Sequence, residues 1–131
     1  MTPEEIKEYI LSRYGAEPEY LWPDYPDTFI FRHEGSRKWF AIVMEVQRAK
    51  IGLPGEGTAR LMNVKCGPLL GGSFIGSPGV VPAWHMNKKN WIGLVLDGEA
   101  GEETVKELLE ISFDMTGGTK ATPRKFRHTS C

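Results

Sequence analysis

The sequence predicts an α+β fold, a two-layer sandwich in which an antiparallel sheet of four to six strands carries the N- and C-terminal helices on one face. Three observations predict it. Apolar residues recur at helical spacing near both ends of the chain, and the segments between are rich in β-branched and aromatic residues. These strand-like segments follow one another across short turns, which favours antiparallel pairing. The length of 131 residues suits one domain.

The first helix has clear start and stop signals. Thr2 can cap its N-terminus, Pro3 suits the first helical position, and Glu4 and Glu5 suit the positive end of the helix dipole. Gly15 supplies the stop. The apolar face of this helix consists of Ile6, Tyr9, Ile10 and Tyr14. We therefore expect one helix face to pack on a sheet.

The middle of the chain predicts the strands. Residues 28–32 and 39–46 form a hairpin across the turn EGSRK, and residues 58–66 add a further strand. Residues 86–90 form one turn before a strand over 91–96. The Pro-rich connection after the first helix, AEPEYLWPDYPD, is expected to be extended and to lay its aromatic residues over the core.

The last helix covers residues 102–115, with Val105, Leu108 and Leu109 on its buried face. A short helix over 68–75 is a weaker prediction because two glycines interrupt it. Residues 117–131 lack apolar periodicity and are basic. We therefore predict a domain over residues 1–116 and a flexible basic tail over 117–131.

Composition excludes several classes of protein. The formal net charge of −1 gives no overall attraction to polyanions, so nucleic-acid binding would need a local basic patch. No apolar run approaches the ~20 residues of a membrane span, and the first ten residues do not resemble a secretory signal. We expect a cytoplasmic monomer with no cofactor.

The chain shows no pattern typical of a catalytic or metal site. The glycine-rich stretches 52–60 and 71–79 do not match a nucleotide-binding fingerprint and are interpreted as turns. His33, His85 and His128 are far apart in sequence, so we predict no metal site. A nucleophile–base pair of Cys66 and His85 would require contact in space, and a lone cysteine in a strand is more often a small buried residue.

Acidic residues cluster in the first helix and the connection after it. They are Glu4, Glu5, Glu8, Glu17, Glu19, Asp24 and Asp27. Hard cations bind converging oxygen ligands, but such acids also suit a helix start and a solvated surface. We favour the solvated surface.

Two neighbouring segments carry the candidate binding residues. Lysines neutralise phosphates, and Trp84 or Trp91 could stack on a base. The alternative is that both tryptophans are core residues and the polar residues stabilise a turn. The candidates are Lys65, His85, Asn87, Lys88 and Lys89.

Three stretches resemble the MmcQ/YjbR family: NVKCGP at 63–68, PGVVPAWHMNKKNW at 78–91, and LDG at 96–98 before the final helix. The resemblance covers most of residues 1–116. It implies a fold similar to the frataxin-like α+β sandwich and a double-wing DNA-binding module, and it brings no catalytic residues. Its motif positions are Lys65, His85, Asn87, Lys88 and Trp91. The chain departs from the family at Gly67, where an acid is usual.

We therefore predict a small non-enzymatic protein that binds DNA through a local basic surface. Lys65, Lys88 and Lys89 would contact phosphates, and His85 and Asn87 would supply directional hydrogen bonds. That surface would be extended along the hairpin by Arg37, Lys38 and Arg48. One alternative is a protein-interaction or small-ligand module using an aromatic sheet face that contains Trp39, Trp84 and Trp91. A third is a frataxin-like metal-binding protein using the acidic residues.

Overall fold

The structure is a computed structural model that describes residues 1–67, 73–87, 89–97 and 100–117. Five strands form one antiparallel sheet in the order β1-β2-β3-β5-β4. The elements are α1 (Pro3–Tyr14), β1 (Phe29–Arg32), β2 (Trp39–Gln47), a 3-10 turn (Arg48–Ile51), β3 (Thr58–Lys65), β4 (Val80–Pro82), β5 (Trp91–Val95) and α2 (Glu102–Thr116). The predicted α+β fold is confirmed.

Helix α1 begins and ends at the predicted residues. The Glu5 N–H donates to the Thr2 hydroxyl at 3.1 Å, and the Thr2 N–H donates back to the Glu5 carboxylate at 2.9 Å. Gly15 closes the helix at a φ of 72°, a conformation that glycine adopts without a steric penalty. Local sequence therefore determines both ends of this helix.

Both helices pack on the same face of the sheet, as predicted. Ile6 and Ile10 of α1 share one buried cluster with Leu108 and Leu109 of α2 and with the sheet. The sheet residues in that cluster include Phe29, Phe31, Val43, Met62, Val64, Ile92 and Leu94. This cluster is the main core. The opposite sheet face, here called the second face, carries a smaller buried cluster of Val46, Ile51, Ala59, Leu61 and Val95, in which Ile51 belongs to the 3-10 turn.

A β-bulge at Phe40 changes which way β2 faces near its start. Phe31 pairs with Ala41, but Arg32 pairs with Trp39, so Phe40 is the extra residue. Phe40 and Ala41 both join the helix-side core. Side chains normally alternate along a strand, and the extra residue therefore transfers Trp39 to the second face. The sequence carried no signal for this bulge.

Ser112 of α2 bridges β2 and β3 beside the bulge. Its buried hydroxyl donates to the Phe40 carbonyl at 2.6 Å and accepts from the Lys65 N–H at 2.9 Å. The β2–β3 pairing ends at Ala41 and Val64, so Phe40 and Lys65 would be the next pair. The hydroxyl thus satisfies two backbone groups that the strands do not satisfy between themselves.

The remaining local predictions are largely confirmed. The hairpin of β1 and β2 and the strands β3 and β5 lie within about a residue of their expected bounds. The short edge strand β4 was not predicted, because three residues ending in Pro82 give little periodicity. Most of the predicted helix at 68–75, and the tail from residue 118 onward, lie outside the described residues.

The described segments contain no helix long and apolar enough to cross a membrane.

Candidate functional site

A row of residues on the second face positions the candidate site. Ile42 pairs with Asn63 across β2 and β3, and Asn63 and Val81 both pair with Gly93. A side-chain carbon on Gly93 would lie 2.9 Å from Leu61 Cδ1 and 3.2 Å from Asn63 Oδ1. Glycine at this position therefore makes room for the Asn63 amide in the middle of the sheet.

Asn63 fastens the loop between β4 and β5 to the second face. Its side chain is fully buried, and its Nδ2 donates to the Trp84 carbonyl at 2.9 Å. Within the described residues, its Oδ1 has no hydrogen-bond partner. Burying an amide oxygen without a hydrogen-bond partner costs free energy. The structure gains from it the position of Trp84, because the amide holds the Trp84 backbone over the sheet.

The second face carries a groove of about 420 Å³, here called the aromatic groove. Its walls are aromatic and come from three separate segments, and β2 supplies apolar residues beneath them. The walls are Trp22, Tyr25, Trp39 and Trp84, the residues beneath are Ile42 and Met44, and Thr28, Glu45, His85 and Met86 complete the lining. Pockets of this size and character are typical of small-molecule sites.

The walls of the groove meet at defined angles. The rings of Trp22 and Trp39 are nearly perpendicular, at 86° with centroids 5.9 Å apart, and so form a corner. At the Trp84 wall, the centroids of the His85 and Trp84 rings are 4.4 Å apart. The Lys50 ammonium lies 5.9 Å from the Trp84 ring centroid, a distance at which cation–π attraction operates.

The candidates in the loop between β4 and β5 differ in what they do. His85 is exposed, adopts a φ of 63°, and lines the aromatic groove. Asn87 stabilises the turn, because its Oδ1 accepts from the Lys89 N–H at 2.8 Å and its carbonyl accepts from the N–H groups of Asn90 and Trp91. Lys89 is exposed, and Lys88 lies outside the described residues.

Most of the predicted basic residues lie at one end of the sheet. Lys65 ends β3, Arg37 and Lys38 precede β2, and Lys89 precedes β5, which starts beside the end of β3. We call Arg37, Lys38, Lys65 and Lys89 the basic end. Arg48 follows β2 at the opposite end of the sheet, where its Nε donates to the Pro54 carbonyl at 2.7 Å. The structure therefore does not bring Arg48 to the other candidates.

Carboxylates lie beside the basic end. Arg32 forms a two-bond pair with Glu19, at 2.9 and 2.6 Å, and this pair lowers the pKa of the Glu19 carboxyl. Arg37 adds a smaller electrostatic contribution in the same direction. A polar groove of about 500 Å³ includes these residues together with Glu17 and Glu34. The basic end thus borders an acidic surface.

Cys66 has the properties of a core residue. It is buried in the main core, and burial raises the pKa of its thiol, which disfavours the reactive thiolate. Its Sγ donates to the Gly67 carbonyl at 3.5 Å. The described residues contain no group of three or more His, Cys, Asp or Glu that could hold a metal ion.

The sequence identified only part of the aromatic groove. It named Trp39 and Trp84 for an aromatic face but included Trp91, which is not among the residues that line the groove. It treated Trp22 and Tyr25 as covers for the core and did not single out Asn63. The fully buried amide and its contact with Trp84 emerge only from the register of the strands.

A family model described as YjbR matches residues 11–115, which is most of the chain. The chain belongs to the YjbR family. The match includes all the residues that line the aromatic groove and the four residues of the basic end. The predicted resemblance is therefore confirmed.

Similar proteins support this family membership. The uncharacterized protein YyaQ of Bacillus subtilis is 34% identical over 116 residues, which is 88% of this chain and 98% of YyaQ. A crystal structure of a Pseudomonas syringae protein superposes with a TM-score of 0.85 at 35% identity, covering 88% of this chain and 99% of that one. Deinococcus radiodurans protein DR2400 shares the fold, with a TM-score of 0.65 at 21% identity over 95% of this chain and 86% of that one.

Proposed function

We propose that this YjbR-family chain is a non-enzymatic, monomeric, cytoplasmic binding protein whose ligand occupies the aromatic groove. One observation carries the proposal. Trp22, Trp39 and Trp84 come from three separate segments and converge with Tyr25 around a volume of about 420 Å³. Partly exposed aromatic side chains gathered on one surface are typical of binding sites rather than of cores.

Each wall of the groove is placed there by a specific structural feature. The bulge at Phe40 transfers Trp39 to the second face, and the buried Asn63 amide holds the Trp84 backbone above it. Tyr25, which is 65% exposed, stands beside them on the connection from α1. A bulge and a buried amide whose oxygen has no hydrogen-bond partner among the described residues both cost stability, and such costs are common at functional sites.

The test is to screen a set of small organic fragments by nuclear magnetic resonance, following the four indole N–H signals. Fragments that bind should shift the signals of Trp22, Trp39 and Trp84 and leave that of Trp91 in place, because Trp91 is not among the groove's lining residues. Trp22→Ala should weaken binding by about tenfold, since an interface aromatic commonly contributes more than 1 kcal/mol.

The matched control is Tyr20→Ala. Tyr20 lies on the same connection as Trp22 and is half exposed, but its ring packs on Phe29, which belongs to the helix-side core. Its removal should leave fragment affinity unchanged. The proposal fails if no fragment shifts the groove signals, or if Tyr20→Ala weakens binding as much as Trp22→Ala does.

DNA binding is a second candidate function, and the basic end is the observation that favours it. Arg37, Lys38 and Lys89 are exposed at the end of the sheet where Lys65 lies half buried. Phosphate contacts need such a local surface because the whole chain has a net charge of −1. The acidic residues bordering Arg37 oppose a large interface, and for that reason we place DNA second.

For DNA binding we predict salt-dependent affinity for duplex DNA in fluorescence anisotropy. Replacing Lys38, Lys65 and Lys89 together by glutamine should reduce the dependence of log K on log salt by about 0.9 for each phosphate that the variant no longer neutralises. Arg48→Gln is the matched control, because Arg48 lies at the opposite end of the sheet. Affinity that is indifferent to salt, or an Arg48 variant that weakens binding as much as the triple variant, would contradict the prediction.

A further inference from the structure

We propose that Met44 and Met86 form a reversible oxidation site, at which hydrogen peroxide converts their thioethers to sulfoxides and so lowers the affinity of the aromatic groove for apolar ligands. This inference rests on the function proposed for the groove and adds a means of regulating it. It follows from where the two side chains lie, how exposed they are, and what their oxidation does to the groove.

Two methionines belong to the lining of the aromatic groove. Val43 packs in the main core and Met44 packs on the smaller cluster of the second face, so strand alternation places the Met44 side chain beneath the groove. Met86 reaches the groove from the loop between β4 and β5, two residues after Trp84. The whole chain contains five methionines, and two of them are among the ten residues that line this one groove. Methionine is therefore concentrated at the site.

Both of these side chains are open to a small oxidant. Met44 and Met86 are each partly exposed, whereas Met62, on the helix side of β3, is fully buried in the main core. An oxidant has to reach the sulfur atom, and hydrogen peroxide is small enough to reach a side chain that water reaches. The groove methionines are thus expected to react while Met62 is protected.

The oxidation balances with peroxide as the only oxidant. The sulfur lone pair attacks one peroxide oxygen, an S–O bond forms, the O–O bond breaks, and the second oxygen leaves as water. Sulfur loses two electrons and the peroxide gains them. A methionine sulfoxide reductase reverses the step, because a pair of thiols supplies two electrons, the oxygen leaves as water and the thiols form a disulfide.

A sulfoxide changes what the groove can bind. The thioether is apolar and flexible, whereas the sulfoxide carries a strongly polar oxygen. An apolar ligand that covers this oxygen removes it from water without offering it a hydrogen bond, which costs free energy. Ile42, the neighbour of Met44 beneath the groove, has no side-chain donor to replace the water. Ligand affinity should therefore fall when Met44 and Met86 are oxidised.

The experiment treats the full chain with hydrogen peroxide and uses the apolar fragment that binds the groove most tightly in the fragment screen. Peptide mass spectrometry should find sulfoxide at Met44 and Met86 and an intact thioether at Met62, and circular dichroism should show that the chain stays folded. Fragment affinity, measured from the indole N–H signals, should fall about tenfold and return after treatment with methionine sulfoxide reductases.

Leucine variants show which methionines are responsible. The double variant Met44→Leu, Met86→Leu keeps a similar side-chain volume but cannot form a sulfoxide in the groove, so peroxide should leave its own fragment affinity unchanged. It retains both cysteines and all four tryptophans, so a loss caused by oxidation of those residues would still appear in it. Met115→Leu is the matched control. Met115 is 47% exposed on α2 and is not among the lining residues, so this variant should lose affinity about tenfold on oxidation, as the native chain does.

The outcomes separate this inference from the function on which it rests. If a fragment binds the groove and peroxide does not lower its affinity, or lowers it equally in the double variant, the inference is overturned while the binding function stands. If Met62 reacts as readily as Met44 and Met86, the loss reflects unfolding and the inference is likewise overturned. If no fragment shifts the groove signals, both proposals fail. A loss that requires Met44 and Met86 and is reversed by the reductases supports both.

Discussion

Phe40→Ala is expected to lower the free energy of unfolding by about 3–5 kcal/mol, the range typical of a buried phenylalanine. Phe40 is fully buried, and its ring contacts those of Tyr14, Phe31, His33 and Phe113. The surrounding rings cannot easily move to fill the cavity, because they belong to α1, β1, the turn after β1 and α2, and each is held by its own segment. Thermal unfolding should shift downward by roughly 4 °C for each kcal/mol.

The control for this loss is Tyr25→Ala, which removes an aromatic ring that is 65% exposed. It should change the free energy of unfolding by less than about 0.5 kcal/mol, as surface substitutions usually do. Chemical denaturation of both variants measures the difference. Equal losses in the two variants would show that the core around Phe40 does not carry the stability assigned to it.

Ser112→Ala should cost about 2–4 kcal/mol, an unusually large loss for the removal of one oxygen atom. The substitution leaves the buried Phe40 carbonyl and the partly buried Lys65 N–H without their partner. The unsatisfied buried carbonyl costs about 1–3 kcal/mol, and the lost bond to the partly buried N–H adds about 1 kcal/mol. Denaturant unfolding, monitored by circular dichroism, gives the free-energy difference directly.

Ser36→Ala is the matched control for Ser112→Ala. The Ser36 hydroxyl also donates to a backbone carbonyl that is distant in sequence, that of Thr116 at 3.0 Å. This bond is only partly buried, whereas the bond from Ser112 to the Phe40 carbonyl is buried. Water can replace its hydroxyl, so the loss should remain near about 1 kcal/mol. If Ser112→Ala is no more destabilising than Ser36→Ala, the bridge between the two strands is not a major contributor to stability.

The sequence predicted the elements of this fold because their signals are local. The capping residues of α1, the apolar face of α2 and the β-branched and aromatic residues of β2 each lie within a dozen residues. Whether Trp39 faces the helices or the second face depends instead on one extra residue in β2, which no local pattern revealed. The aromatic groove was therefore only partly predictable.

For the candidate polar residues too, the sequence revealed the motif but not what each side chain does. The motif that includes His85 and Asn87 was visible in the sequence, but the roles of the two side chains were not. Asn87 is engaged by the backbone of its own turn, while His85 lines the groove. Arg48 was grouped with Arg37 and Lys38 because the three residues are close in sequence. They lie at opposite ends of the nine-residue strand β2 and are therefore far apart in the sheet.

The bridge at Ser112 also affects how this end of the sheet opens. Strand ends ordinarily fray by breaking a few backbone hydrogen bonds, which costs much less than global unfolding. Here the Lys65 N–H is held by a side chain of α2, and that helix is anchored through Leu108 and Leu109 in the main core. Fraying at the Lys65 end of β3 is therefore coupled to the movement of α2 away from the sheet. We expect Lys65, in the basic end, to be held as rigidly as the core to which α2 is anchored.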